Sequence, residues 1–194
     1  MARKFVGISI LCLGLFLVTA CSLSTQITNT ARSSIEERLL VRALDRAMMA
    51  LNTERLKGKT VVVDFYGLSP DKDFAREYFT AWLQSQQVQI ASDPKKAQLR
   101  LKVFAPFLAV DRGQSFLGTP AFTVPLLGVA VPEISLFKDV QHSGHAELQV
   151  YEIDADTGKF IDRRPTASGG AQHHEYTILV LINFARTDID EGAS

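Results

Sequence analysis

Residues 59–67, KTVVVDFYG, decide the fold. Three consecutive valines followed by Phe65 and Tyr66 favour a pleated backbone, and Gly67 closes a run of strand length. Alternation places Val61, Val63 and Phe65 on one face, with Asp64 and Tyr66 on the other. A carboxylate inside such a strand is costly unless it faces outward or is paired, so Asp64 is expected to be half-exposed or satisfied rather than catalytic.

Helical patterns flank this strand on both sides. Upstream, SSIEERLLVRALDRAMMALNTERLKG (33–58) sets Ile35, Leu39, Leu40, Leu44, Met48 and Leu51 on one stripe. Ser33 with Glu36 has the spacing of a capping box, and Gly58 is a stop signal. Downstream, Ser69-Pro70 announces a second helix over DKDFAREYFTAWLQSQQ, with Phe74, Tyr78 and Trp82 spaced to face a sheet. The second half of the chain is written for strands. AQLRLKVFAPFLAV (97–110) alternates at Leu99, Leu101 and Val103. HAELQVYEID and GKFIDR flank DADTG, a hairpin turn in which Gly158 takes the left-handed position and Asp154 and Asp156 serve turn chemistry. RRPTASGGAQ reads as a polar loop, and HEYTILVLINFA (174–185) as the last strand. The expected fold is α+β: a mixed, mostly antiparallel sheet of four to five strands, two helices packed on one face, order α-β-α-β-β-β-β.

The stretch SFLGTPAFTVPLLGVAVPEISLF (115–137) departs from this pattern. It carries one charge, Glu133, yet Pro120, Pro125 and Pro132 forbid a continuous helix. Three fates are open to it: a broken loop that completes the core, an exposed surface for a partner, or a hairpin entering a bilayer. Against the last, it lacks the roughly ten-residue in/out alternation of a barrel strand. Phe116, Phe122, Leu126 and Leu127 are its candidate partner-binding groups.

The N-terminus supplies an address. Arg3 and Lys4 precede an apolar run, FVGISILCLGLFLV, too short to span a bilayer comfortably, which takes about 20 apolar residues. It ends in LVTAC (17–21), which resembles the bacterial lipobox. That resemblance implies a diacylglyceryl thioether on Cys21, cleavage before it and acylation of the new amine. Two or more acyl chains anchor firmly where one is marginal. Ser22, not Asp, follows the cysteine, which by resemblance to the sorting rule of enteric bacteria implies the outer membrane with the domain facing the periplasm. Residues 22–32, SLSTQITNTAR, read as a polar tether. The expected organisation is a signal peptide over 1–20, a lipidated tether over 21–32, a single domain over 33–187 with the insert at 115–137, and a flexible tail over 188–194.

Composition narrows the chemistry. Of two cysteines, Cys12 leaves with the signal and Cys21 carries lipid, so neither a disulfide nor a cysteine nucleophile is expected. The chain balances 21 Lys and Arg against 21 Asp and Glu, and loss of Arg3 and Lys4 leaves it slightly acidic, which excludes a nucleic-acid footprint. No P-loop, G-x-G-x-x-G or G-x-S-x-G is present. His142, His145, His173 and His174, with Glu147 or Glu175 nearby, are the candidate metal ligands, and their spacing matches no zinc motif. No metal and no other cofactor is expected.

The order of elements is similar to that of the periplasmic α/β domains of the curli secretion lipoprotein and the lipopolysaccharide-assembly lipoprotein, and to uncharacterised envelope lipoprotein families. The resemblance implies compartment and fold class, with Cys21 the one residue carried over. The expectation is a non-enzymatic envelope scaffold or assembly partner, bound to the membrane through lipid and to an envelope protein or its own copies. The alternatives are a subunit of an oligomeric secretion or transport channel, and a histidine-based metal protein or enzyme.

Overall fold

The computed structural model describes residues 22–26, as backbone, and 33–190. Cys21 and the signal segment lie outside the described residues, as do 27–32 and 191–194. The elements in order are β1 (Ser22–Gln26), α1 (Ser34–Met49), β2 (Thr60–Gly67), α2 (Lys72–Ser85), β3 (Gln89–Ile90), β4 (Leu99–Ala105) and β5 (Leu108–Thr119). They continue with β6 (Phe122–Thr123), β7 (Ala130–Val131), β8 (Ile134–Asp154), β9 (Phe160–Arg163), β10 (Ala167–Ile178) and β11 (Ile182–Thr187). The class is α+β, with a mixed, mostly antiparallel sheet. Nine of the described strands share it, more than the four or five the sequence suggests, and β6 and β7 pair separately.

The chain divides into two compact units. A helical unit comprises the described residues of Thr30–Val110, Ser143–Gln172 and Asp188–Ser194; a strand unit comprises β1, Asp111–His142 and His173–Thr187. In the helical unit β2 pairs in parallel with β3 and with β4, as a strand-helix-strand connection requires. β4 pairs antiparallel with β8, Leu101 opposite Glu152 and Val103 opposite Val150, and β8 with β9 through the turn at Gly158, whose φ is 68°.

Helix α1 begins as its sequence specifies. Ser33 Oγ accepts from the Glu36 N–H, and the Glu36 carboxylate accepts from the Ser33 N–H at 2.9 Å. Leu39, Leu40, Leu44 and Met48 are buried together with Ala43 and Ala47. The helix stops at Met49 rather than near Gly58; a 3-10 turn over Glu54–Leu56 follows and buries Leu56. Gly58, at φ 73°, redirects the chain after that turn.

Helix α2 is rotated one position from its expected face. Ala75, Phe79 and Leu83 are buried, whereas Phe74 is half-exposed and Tyr78 and Trp82 sit at the margin. The small Ala75 admits the close approach, and the aromatic side chains roof its edges: Phe79 meets Phe65 at 6.1 Å and Trp82 at 5.9 Å. Tyr78 reaches α1, donating to Asp45 Oδ1 at 2.8 Å; burial, then this bond to an anion, pushes its phenol up to about 12.

The core unites α1 and α2 with the inward faces of β2, β4 and β8, namely Val61, Leu99, Leu101, Val103, Ala146, Leu148 and Val150. Two glycines set how closely α1 lies on the strands. A Cβ at Gly144 would stand 2.6 Å from the Leu39 carbonyl oxygen, and one at Gly169 would stand 2.1 Å from that of Ala43 and 2.5 Å from Ala47 N. The stretch ASGGAQ, which reads as loop, is thus the start of β10, its glycines serving contact rather than turning. Deeper still, Arg164 Nε donates to Glu152 Oε1 at 2.5 Å and Arg164 also bonds the Asn52 carbonyl. A buried pair of this kind costs several kcal/mol to break from one side.

The stretch read from the sequence as a tail carries two ion pairs to α1. Arg46 donates to Asp188 Oδ2 at 2.7 Å and to its carbonyl at 3.0 Å, and Arg38 pairs with Asp190. The Gln172 N–H reaches Asp188 Oδ1 at 2.7 Å.

Substituting Gly169→Ala should destabilise the protein by about 2 kcal/mol or more, read by urea unfolding, because the new methyl meets backbone that cannot move alone. Asp188 gives a pH signature. Burial alone would raise its pKa, but the bonds from Gln172 N–H and Arg46 outweigh it and hold the carboxyl below its ordinary value. A depressed folded pKa means stability that is present above the unfolded value of ~3.9 and lost as pH falls through the folded one. Asp188→Asn should therefore cost about 1 kcal/mol at pH 7, a value discounted for solvent screening, and the gap to the parent should close as pH is lowered below about 4.

Candidate functional site

The strand unit holds the apolar segment that the sequence singles out, and prolines partition it. Pro120, Pro125 and Pro132 fall between strands, so β5 runs on to Thr119, β6 and β7 form a two-residue ribbon, and β8 starts at Ile134. The segment is thus neither an irregular loop nor one barrel strand. In the ribbon Phe122 opposes Val131 and Thr123 opposes Ala130. Its tip closes with the Val124 N–H on Val129 O at 2.8 Å and the Gly128 N–H on Val124 O at 3.1 Å. Gly128 lies at φ 63° and Leu126 at φ 75°, a region that a leucine enters only at a cost.

Of the four candidate partner-binding residues, Phe116 is buried in β5, and Phe122, Leu126 and Leu127 are exposed, Leu126 completely. The last expected strand, HEYTILVLINFA, is in fact a hairpin. β10 ends at Ile178, the chain reverses through Leu179 (φ 48°) and Val180 (φ 66°), and β11 returns with Ile178 opposite Ile182. No glycine, asparagine or proline marks that turn, so the sequence offers no turn signal there. Leu179, Val180 and Leu181 are exposed at its tip; these are the surface groups sequence reasoning missed.

The histidines have structural partners. His174 Nδ1 lies 3.1 Å from Asp139 Oδ1, and its ring stacks on Tyr176, which stacks on Phe184 at 5.0 Å. His173 Nε2 lies 3.3 Å from Glu175, with the His142 ring 6.4 Å from its own. His145 is exposed and belongs to the helical unit. Among the described residues no three His, Cys, Asp or Glu side chains converge as a metal site.

In the helical unit, a cleft of about 560 Å³ opens at the carboxyl ends of the parallel strands β2 and β4, beside the first turns of α2. Tyr66 and Phe104 stack at 5.2 Å on its wall. Lys72, Asp73 and Arg76 complete its rim, with Arg76 3.4 Å from Asp73 and 3.1 Å from Glu77. Parallel strands open such crevices at their carboxyl ends, a placement the helix-strand-helix order could have signalled. Asp64 stands apart from it, 3.6 Å from Arg100. Asp154 is held below its usual carboxylate range, first by the Thr157 N–H and then by the Thr157 hydroxyl, each at 2.7 Å.

No family model and no curated protein matches the chain. Among solved structures it is similar to Lipoprotein GNA1162 from Neisseria meningitidis, at 8% identity over 59% of this chain and 82% of that one, with a TM-score of 0.32. It is similar to the PelC dodecamer from Paraburkholderia phytofirmans, at 11% over 86% and 79%, with a TM-score of 0.29. A neuraminyllactose-binding hemagglutinin homolog from Helicobacter pylori matches at 12% over 69% and 75%, with a TM-score of 0.32. Likeness at this level says nothing of what the present chain does.

The opposite exposures of Leu126 and Phe116 make opposite expectations. Leu126→Asp should leave the melting temperature within about 2 °C of the parent. Phe116→Asp, which places an unpaired charge among buried groups, should lower it by about 5 °C or more. Differential scanning calorimetry of both variants checks this.

Proposed function

We propose that the chain is an envelope lipoprotein, anchored to the outer membrane through acylated Cys21 with its domain facing the periplasm, and that it acts as a non-enzymatic scaffold or assembly partner. The observation that carries this reading is the apolar surface left open on the strand unit by Phe122, Leu126 and Leu127. Large uncovered patches of this kind mark sites of contact with another component of the envelope, protein or membrane. Support comes also from how the candidate chemical groups are used. Asp64 pairs with Arg100, Asp154 closes a turn, and His173 and His174 face Glu175 and Asp139, so each has a structural role.

The test is made on the protein extracted from membranes in detergent. The parent should be processed, acylated at Cys21 and run as a monomer or small oligomer, alone or with an envelope protein. Cys21→Ser should accumulate as an unlipidated, slower-migrating precursor. Normal processing of that variant would sink the anchor, and a discrete large ring formed by the parent would replace the scaffold with a channel subunit.

A further inference from the structure

We propose that the end of the strand unit bearing the 124–129 and 179–181 tips is a membrane-contacting surface, seated in the headgroup layer of the same bilayer that holds the Cys21 lipid. The inference rests on the anchor reading above and adds an orientation to it.

Strand pairing brings the anchor and the tips to one end. β1 is antiparallel to β5, with Ser22 opposite Phe116 and Gln26 opposite Arg112. Cys21 is bonded to Ser22, and successive Cα atoms are ~3.8 Å apart, so the lipid leaves the chain beside the last residues of β5. The start of β8 is at this same end, since a Cβ on Gly118 would stand 2.2 Å from the Ile134 carbonyl oxygen. So is the end of β10: the Leu179 N–H bonds Leu136 O and the Val180 N–H bonds Ser135 O, both at 3.0 Å. Both tips therefore spring from the end at which β1 begins.

Charge is segregated along the same axis. Residues 115–137 carry Glu133 alone and residues 176–185 carry no charge. Glu133 is itself held by Lys138 at 2.8 Å. Asp111, Arg112, Asp139, Glu175 and Arg186 lie further along the strands, toward the other end. The exposed side chains at the tips are aliphatic: Leu126, Leu127, Val129, Leu179, Val180 and Leu181.

A surface entering lipid must also satisfy its backbone. Val124, Gly128, Leu179 and Val180 all have their N–H groups bonded within the protein. The chain accepts backbone strain to present these side chains. Of the four non-glycine residues with positive φ among the described ones, Leu126, Leu179 and Val180 are at the tips. Strain of this kind persists at binding surfaces because it serves them. A multiply acylated cysteine already tethers firmly, so the tips add orientation rather than attachment, lying about 5–10 Å into the interface as amphipathic anchors do.

The mature chain has no thiol besides Cys21, so a new cysteine is the unique labelling site in the acylated protein. Leu126→Cys, Leu181→Cys and Arg186→Cys, the last at the charged end of the same unit, are each labelled with an environment-sensitive fluorophore. The full lipoprotein is then reconstituted into phosphatidylethanolamine/phosphatidylglycerol vesicles with or without doxyl-labelled lipid. The labels at 126 and 181 should shift to the blue and be quenched at least twofold by doxyl lipid, while that at 186 stays unquenched. Vesicle-bound, acylated protein whose labels at 126 and 181 are unquenched overturns the proposal and leaves the anchor standing. A blue shift without lipid quenching also overturns it, by showing that protein covers the tips. A parent protein that proves to carry no acyl chain on Cys21 overturns the anchor reading and this one together.

Discussion

The helical unit depends on how closely α1 can lie on β8 and β10, and that distance is set by backbone rather than by side chains. At Gly144 and Gly169 the strands present no Cβ, and the helix answers with Leu39, Ala43 and Ala47 along one line. A leucine, an alanine and an alanine four residues apart form a shallow ridge that can sit almost directly on a strand. The other buried side of the helix, Leu40, Leu44 and Met48, then reaches the core shared with α2, β2 and β4. Any residue larger than glycine at 169 would lift the helix and open that core, so the two packings stand or fall together. The ion pairs from Arg38 and Arg46 to Asp190 and Asp188 lie on this same helix and close its exposed side.

How much of this was legible follows from which signals act locally. The capping box at Ser33 and Glu36, the alternation at Leu99, Leu101 and Val103, and the left-handed glycine of DADTG are encoded within a few residues, and each appears where expected. The face of α2 was misjudged because three aromatic residues at helical spacing outweigh one alanine on paper, whereas packing favours the small residue at the closest contact. The strand over 167–172 was hidden for a related reason. Gly169 and Gly170 mimic a loop in composition, yet Gly169 is needed by a helix distant in sequence. β1 was invisible because its pairing with β5 is a long-range event that a polar Ser/Thr stretch does not announce.

The candidate surface was half legible. Residues 115–137 stood out by low charge and three prolines, but not as extended strand, ribbon and strand in succession. The prolines mark the joints between short paired elements rather than abolishing pairing. The second tip left no trace in the sequence, since ILVLI reads as continuous strand and its reversal uses leucine and valine at positive φ. Turn chemistry predicts asparagine or glycine there. The departure from that rule leaves Leu179 and Val180 at positive φ with their side chains exposed.

Charged groups in both units are paired with one another. In the strand unit, Asp139 is taken by His174, Glu175 faces His173 and Glu133 is taken by Lys138. In the helical unit, Glu152 is neutralised by Arg164 in the interior, Asp64 by Arg100, and Arg76 at the cleft rim by Asp73 and Glu77. These pairings hold strands and helices in register, and large apolar side chains stand exposed at the two tips as well as at Met49, Leu68, Phe107 and Phe160 in the helical unit. In the strand unit the contrast is by residue class: Asp139, Glu175 and Glu133 are paired, while aliphatic side chains stand exposed at the two tips.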